Sequence, residues 1–151
     1  MTLINQNYVF VDEPLTSKEE ALKFLSEKAH ELGISSAVEP VYSSFLLRET
    51  EGTTGMMDGF SIPHAKNSEI KEASILIVKT TASVEWDSLD GKPINVIIAL
   101  LIPDSETGTT HLKLLSTIAR QLMKAEFKEK LQTLTSADEI TNYINRILEN
   151  E

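Results

Sequence analysis

Two long apolar runs constrain the fold of this chain more than any other feature. Residues 74–80 and 94–102 are apolar at odd and even positions alike, which is typical of strands covered on both faces. Such strands need helices on both sides, so the sequence predicts an α/β fold with a sheet between two helical layers. A short stretch with an Asp90-Gly91 turn separates the runs. We therefore expect a hairpin, and with it a mixed sheet.

Capping signatures predict two helices in the first fifty residues. Ser17 and Ser36 are each followed three residues later by a glutamate, the pattern of a capping box. Gly33 is placed to end the first helix, and the second runs toward Glu49. Pro40 fits the second helix only in its first turn, where no backbone N–H is needed.

A short strand and three closing helices complete the predicted elements. The strand is expected at residues 8–11 and ends before Asp12. Helices are expected at 110–124 and 127–134, and Ser136 is expected to cap the last one. The apolar stripe of the first of these three helices is predicted to be Leu112, Leu115, Ile118 and Leu122.

Composition limits the classes of function. At 151 residues we expect one domain over residues 1–151. The chain has 14 basic and 23 acidic residues, a net charge of -9, which argues against nucleic acid and favours a basic protein partner. It has no cysteine, so it holds no thiolate metal site and no cysteine nucleophile. Its apolar runs are far shorter than a bilayer span and no secretion signal opens it, so we expect a cytoplasmic protein without direct membrane insertion.

Three histidines are candidates for chemistry. A glycine-rich loop at residues 51–59 and a very short extended piece at residues 61–63 lead to His64, which the stiff backbone at Pro63 presents. It is either a nucleophile or a structural loop histidine. His111 opens a helix, where backbone N–H groups form an anion site, or it is simply solvated. His30 is expected to be a partly exposed helix residue.

Several catalytic templates are absent. The chain has no H-E-x-x-H motif, so no metal is predicted. Gly52-Thr53-Thr54-Gly55 lacks the G-K-[ST] ending of a phosphate loop, and no Rossmann fingerprint occurs. The sequence therefore predicts no nucleotide cofactor, and a phosphoryl group would have to come from another protein or a small phosphorylated donor.

The segment Gly59-Phe60-Ser61-Ile62-Pro63-His64-Ala65 resembles the active-site segment of enzyme IIA components of the bacterial sugar phosphotransferase system, in the fructose and mannitol class. Phe60 and Ser61 stand where smaller aliphatic residues are expected. Further matches follow the expected order along nearly the whole chain: Leu47-Arg48-Glu49, Val84-Glu85-Trp86, Asp90-Gly91, a long strand ending in Pro103, and His111-Leu112.

The resemblance implies a two-step relay. Phosphorylated HPr, a small phosphocarrier protein, gives its phosphoryl group to His64, which passes it to a cysteine of a IIB component. IIB then phosphorylates sugar as the IIC membrane component transports it. Arg48 and His111 would line the site, with no cofactor and no metal. Without a cysteine or a membrane span, the chain is expected to be a freestanding IIA unit.

Three other functions stay open at this point. A nitrogen-type regulatory paralogue would use the same histidine but signal by binding partner proteins. A phosphohistidine hydrolase would need a general base, and the carboxylates nearest His64 in sequence are Asp58 and Glu69. An interaction module would leave the histidines incidental.

Overall fold

The computed structural model describes residues 3–105 and 109–150, and of residues 109–111 the backbone alone. A 3-10 turn at Gln6–Tyr8 precedes the first strand. The other elements follow in the order β1 (Val9–Glu13), α1 (Lys18–Glu31), α2 (Glu39–Thr50), β2 (Phe60–Ser61), β3 (His64–Asn67), β4 (Ser74–Val84), β5 (Ile94–Pro103), α3 (Thr109–Gln121), α4 (Ala125–Thr133) and α5 (Ala137–Glu149).

The five strands form one mixed sheet, as predicted. β4 and β5 pair antiparallel, with Ile77 opposite Ile98, and they are the hairpin expected around Asp90-Gly91. β1 lies parallel to β4, while β2 and β3 both lie parallel to β5. The two long apolar strands are therefore the centre of the sheet, and β5 carries the short strands that lead to His64.

From Val96 to Ile102, alternate residues of β5 pack into two separate apolar cores, which explains why this part of the strand is apolar at every position. One core lies under α3, α4 and α5 and receives Val96, Ile98, Leu100 and Ile102. The other lies under α1 and α2 and receives Ile97, Ala99 and Leu101. Residues i and i+2 of a strand share a face, so both faces of β5 must be apolar. The predicted helix-covered sheet is confirmed.

Two of the three predicted caps are present. The hydroxyl of Ser17 accepts the Glu20 N–H at 3.0 Å, and that of Ser136 accepts the Glu139 N–H at 3.3 Å. The prediction for Ser36 is wrong: the N-cap of α2 is Val38, two residues later, and Pro40 lies in the first turn of the helix as expected. Ser36 instead donates to the carboxylate of Glu69. The spacing of a capping box can therefore also occur where a serine connects two loops, as Ser36 does here.

Three other predicted details differ from the structure. β1 continues to Glu13, because a bulge at Asp12 with φ of 57° carries the strand past the polar residues. The extended piece expected at residues 61–63 lies instead at Phe60–Ser61 (β2), and His64 begins a strand of its own. Leu112 belongs to neither core and is 63% exposed, while Leu114 takes the buried position on α3. Short apolar stripes leave the helix phase ambiguous by one residue.

None of the helices within residues 3–105 and 109–150 is both long and apolar enough to cross a bilayer.

Candidate functional site

The backbone around His64 is held by the central strand. The Pro63 carbonyl accepts the Leu100 N–H at 2.9 Å, and His64 lies opposite Leu100 in the β3–β5 ladder. Proline has no N–H to offer the sheet, so the ladder resumes only at the histidine. β3 therefore begins at His64 and fixes its position on the sheet, next to α2.

Both ring nitrogens of His64 have partners. Nε2 accepts a hydrogen bond from Arg48 Nε at 2.8 Å, and Nδ1 lies 3.0 Å from the Ile62 carbonyl oxygen. A guanidinium can only donate and a carbonyl can only accept. Nε2 is therefore the unprotonated nitrogen, and Nδ1–H donates to Ile62. The ring is neutral in this arrangement, with its nucleophilic lone pair at Nε2.

Arg48 reaches the histidine from the last turn of α2. Its Nη1 donates to the Gly52 carbonyl at 2.7 Å while Nε donates to His64. One planar side chain thus connects the helix, the following loop and β3. The structure brings together Arg48 and His64, two of the three residues that the sequence predicted for the site.

Glu49 is a residue at this site to which the sequence analysis gave no role. Its carboxylate accepts hydrogen bonds from the Thr54 hydroxyl, the Thr54 N–H at 3.3 Å and Trp86 Nε1 at 3.3 Å. These bonds hold the loop whose Gly52 carbonyl accepts a hydrogen bond from Arg48. The only signal in the sequence was its place beside Arg48, which did not indicate a partner more than thirty residues away.

A cleft of about 280 Å³ opens over His64 between α2 and β3. Lys66 lines it together with His64, because residues two apart on a strand point to the same side. Arg48 and Lys66 bring positive charge to the cleft, and Glu51 brings one negative charge. The exposed side chain of Leu47 lies at its rim. The cleft therefore combines an imidazole with cationic groups, which suits an anionic ligand.

The backbone of His111 lies in the first turn of α3, as predicted. Its side chain lies outside the described residues, so its expected grouping with His64 stays a prediction. The third histidine, His30, is exposed near the end of α1, in agreement with its predicted position.

The loop before β2 is fixed from its far side by polar contacts. Lys128 of α4 contacts the Asp58 carboxylate at 2.6 Å, and the Asp58 N–H donates to Asp90 at 2.9 Å. The N–H groups of Asp58 and Lys92 lower the pKa of Asp90, because they stabilise its carboxylate. Within the described parts of the chain, no group of three or more potential ligand residues could hold a metal ion.

Comparison with known families gives one match over almost the whole chain. Residues 2–147 match the family described as phosphoenolpyruvate-dependent sugar phosphotransferase system, EIIA 2. Among curated relatives, a fructose-specific EIIA component of Haloferax volcanii is 28% identical over 98% of this chain and 96% of its own length. A nitrogen regulatory protein of Klebsiella oxytoca is 32% identical over 94% of this chain and 87% of its own.

A third relative is much longer. The 2-O-alpha-mannosyl-D-glycerate-specific EIIABC component of Escherichia coli is 29% identical over 95% of this chain, but the chain spans only 22% of that protein. Among solved structures, the nitrogen regulatory protein IIA-Ntr of Neisseria meningitidis superposes with a TM-score of 0.85 at 28% identity, over 93% of this chain and 94% of that one. The mannitol IIA of Escherichia coli, in complex with phosphorylated IIB, shares the fold with a TM-score of 0.77 at 17% identity, over 98% of each chain.

Proposed function

This chain belongs to the EIIA 2 family of the phosphoenolpyruvate-dependent sugar phosphotransferase system, and from that membership we propose that it carries a phosphoryl group on His64. The observation that carries the proposal is the hydrogen-bonded series Arg48–His64–Ile62, which leaves a lone pair on Nε2. A histidine nucleophile needs that lone pair and a second nitrogen held as a donor.

The chemistry assigned to His64 is a direct displacement at phosphorus. Nε2 attacks the phosphoryl group of the donor, the Nε2–P bond forms, and the bond from phosphorus to the donor breaks. The proton on Nδ1 stays in place and is shared with the Ile62 carbonyl, which stabilises the positive charge that develops on the ring. The second transfer runs the same displacement with His64 as the leaving group.

Arg48 is proposed to hold the phosphoryl oxygens during both transfers. Its hydrogen bond to Nε2 occupies the position that phosphorus must take, so the guanidinium has to turn outward toward the incoming oxygens. Phosphoryl transfer depends mainly on positioning and on neutralising those oxygens. A planar fork of N–H donors suits that task. We propose that His111 adds a further hydrogen bond, as the family resemblance implies.

The partners follow from the family. We propose that phosphorylated HPr is the donor and that a cysteine of a IIB component is the acceptor, with IIC transporting the sugar and this chain working in the cytoplasm. The relative whose name joins EIIA, B and C in one chain and the solved complex of a mannitol IIA with phosphorylated IIB support a IIB partner. The net charge of -9 favours encounter with a basic partner surface.

A regulatory role is the second candidate. It is favoured by the higher identity and the closer backbone superposition with nitrogen regulatory proteins: a TM-score of 0.85 against IIA-Ntr, compared with 0.77 against the mannitol IIA. In that role His64 would still be phosphorylated, but no IIB cysteine would receive the group.

A two-step assay tests the proposal and separates the two roles. The chain is incubated with phosphorylated HPr, and we expect one acid-labile, base-stable phosphate on the wild type and on His30→Ala, but none on His64→Ala. Stoichiometric phosphate on His64→Ala would overturn the assignment. Adding a IIB domain of the fructose class should then discharge the wild type. Stable phosphorylation without discharge would favour the regulatory role.

A further inference from the structure

A second and larger cleft lies apart from His64. Its volume is about 580 Å³, and it opens between the end of α3, the start of α4 and one side of α5. Among the described residues, the two clefts share no lining residue. Ligand sites in proteins commonly have volumes of about 300–1,000 Å³, so this cleft is large enough for a small organic molecule.

Positive charge is concentrated in this cleft. Lys124, Lys130 and Arg146 line it, against the single carboxylate of Glu126. None of the three cations forms a salt bridge within the part of the chain that the structure describes. The chain has a net charge of -9, so these cations do not lack salt bridges because acidic side chains are scarce. A local group of unpaired cations creates a potential that attracts an anion.

Gln121 adds an observation that is independent of charge. Its side chain lines the cleft, is only 8% exposed, and makes no hydrogen bond to any described residue. A primary amide carries two donors and one acceptor oxygen, and buried polar groups normally have a partner. The amide is therefore available to donate to and accept from a molecule that fills the cleft.

The start of α4 also favours an anion in this cleft. No side chain caps this nine-residue helix at Lys124, although its first-turn residues Glu126 and Phe127 line the cleft. The N–H groups of a first turn have no partner within the helix and favour negative charge. The half-buried ring of Tyr143, 6.0 Å from that of Phe127 between centroids, provides an apolar wall beside them.

We propose that this cleft binds a small organic phosphate. Lys124, Lys130 and Arg146 would hold the phosphate together with the N–H groups of the α4 first turn. Gln121 would exchange hydrogen bonds with the body of the molecule, and Tyr143 would lie against its ring. Three cations from two helices and their connection suit a doubly charged phosphate better than a single carboxylate. A sugar phosphate and a nucleoside phosphate share this chemistry.

Binding to the unphosphorylated full chain tests the site. Fructose 1-phosphate, adenosine monophosphate and inorganic phosphate are titrated and followed by calorimetry and by the NMR signals of the Gln121 side-chain amide, with fructose and adenosine as uncharged controls. At least one of the two organic phosphates should bind and shift the Gln121 signals, and the sugar and nucleoside should not. The arm that binds identifies the class of ligand.

Matched variants connect binding to the cleft. We expect Lys130→Gln and Arg146→Gln each to weaken binding about tenfold or more, since a charge-assisted hydrogen bond contributes about 1.5–3 kcal/mol. Lys71→Gln removes the same charge from an exposed position shortly before β4 and should bind as the wild type does. Gln121→Leu should weaken binding of the organic phosphate more than binding of inorganic phosphate.

Three results would overturn the site: no binding of either organic phosphate, binding of inorganic phosphate alone, or binding that the cleft variants leave unchanged. Titration of His64→Ala separates this inference from the phosphoryl-carrier proposal. The variant should bind the organic phosphate as the wild type does, whatever the outcome of the phosphorylation assay.

Discussion

Arg48 Nε and His64 Nε2 lie 2.8 Å apart, and this one hydrogen bond connects the end of helix α2 to the first residue of β3. Arginine keeps its proton at any ordinary pH, so the bond holds Nε2 as an acceptor. The same guanidinium donates to Gly52 at 2.7 Å, which fixes its plane. The His64 imidazole and the Arg48 cation therefore share one set of contacts.

Replacing Arg48 separates charge from geometry. Arg48→Lys keeps the positive charge but loses the planar fork, and Arg48→Ala loses both. We expect each to lower single-turnover transfer from phosphorylated HPr, on the order of a hundredfold for alanine and less for lysine. Thermal stability should stay close to that of the wild type, because the side chain is only half-buried. Arg146→Lys, a change of the same kind away from His64, is the control. Unchanged rates in both Arg48 variants would remove Arg48 from the site.

Patterning predicted the layers of this fold because burial itself imposes the pattern. Residues 74–78 of β4 and 96–102 of β5 lie between two helical layers, and a strand covered on both faces is apolar at successive residues. The start of α2 was not predictable in the same way. Ser36 and Glu39 have the spacing of a cap, but the bond between Ser36 and Glu69 depends on a loop that folds back from 33 residues away.

The site shows the same division between local and distant contacts. The position of His64 directly after Pro63 is a local feature, and it could be predicted from the sequence. The contacts of Glu49 with Thr54 and Trp86 are not local, because no short-range pattern relates a helix residue to a tryptophan that lies 37 positions later, in the connection between β4 and β5. Lys66 could have been found from its spacing of two from His64, once β3 was recognised as a strand.

Gly59 tests how tightly the approach to His64 is packed. It has φ of 88°, and an added Cβ would lie 2.5 Å from Asn95 Oδ1. The Asn95 amide would have to move and give up its two hydrogen bonds with Gln132, so together with backbone strain we expect Gly59→Ala to lower the free energy of unfolding by about 3 kcal/mol. Gly33→Ala is the matched control: its φ is 77° but nothing lies within 4 Å, so strain alone should cost about 1 kcal/mol. Urea denaturation measures both, and equal losses would contradict the clash.

Ser61 carries a buried hydroxyl without a partner among the described residues, three positions before His64. Burying an unpaired hydroxyl is unfavourable, so Ser61→Ala should raise the free energy of unfolding by about 1 kcal/mol. Ser74 is equally buried, but its hydroxyl donates to the Glu72 carbonyl at 3.0 Å. Ser74→Ala should therefore be destabilising by a similar amount. A loss of stability in Ser61→Ala would show that its hydroxyl is satisfied in solution.

Glu49 supplies the last prediction, because it acts on His64 only through other residues. Its carboxylate holds Thr54 and Trp86, and so holds the loop that offers the Gly52 carbonyl to Arg48. Glu49→Ala should release the loop and let the guanidinium leave Nε2. We expect single-turnover phosphoryl transfer to fall about tenfold, since small misplacements of a positioning group are costly.

A readout other than rate distinguishes this positioning role from a general loss of stability. In the wild type the ¹⁵N shifts of His64 should report protonation at Nδ1, whereas Glu49→Ala should give a mixture of tautomers as the Arg48 bond is lost. Glu49→Gln retains an acceptor oxygen and should recover most of the rate and of the Nδ1–H signal. Glu27→Ala, on the exposed side of α1, should change neither. If Glu49→Ala loses stability while its His64 tautomer and transfer rate match the wild type, Glu49 stabilises the loop but does not position His64.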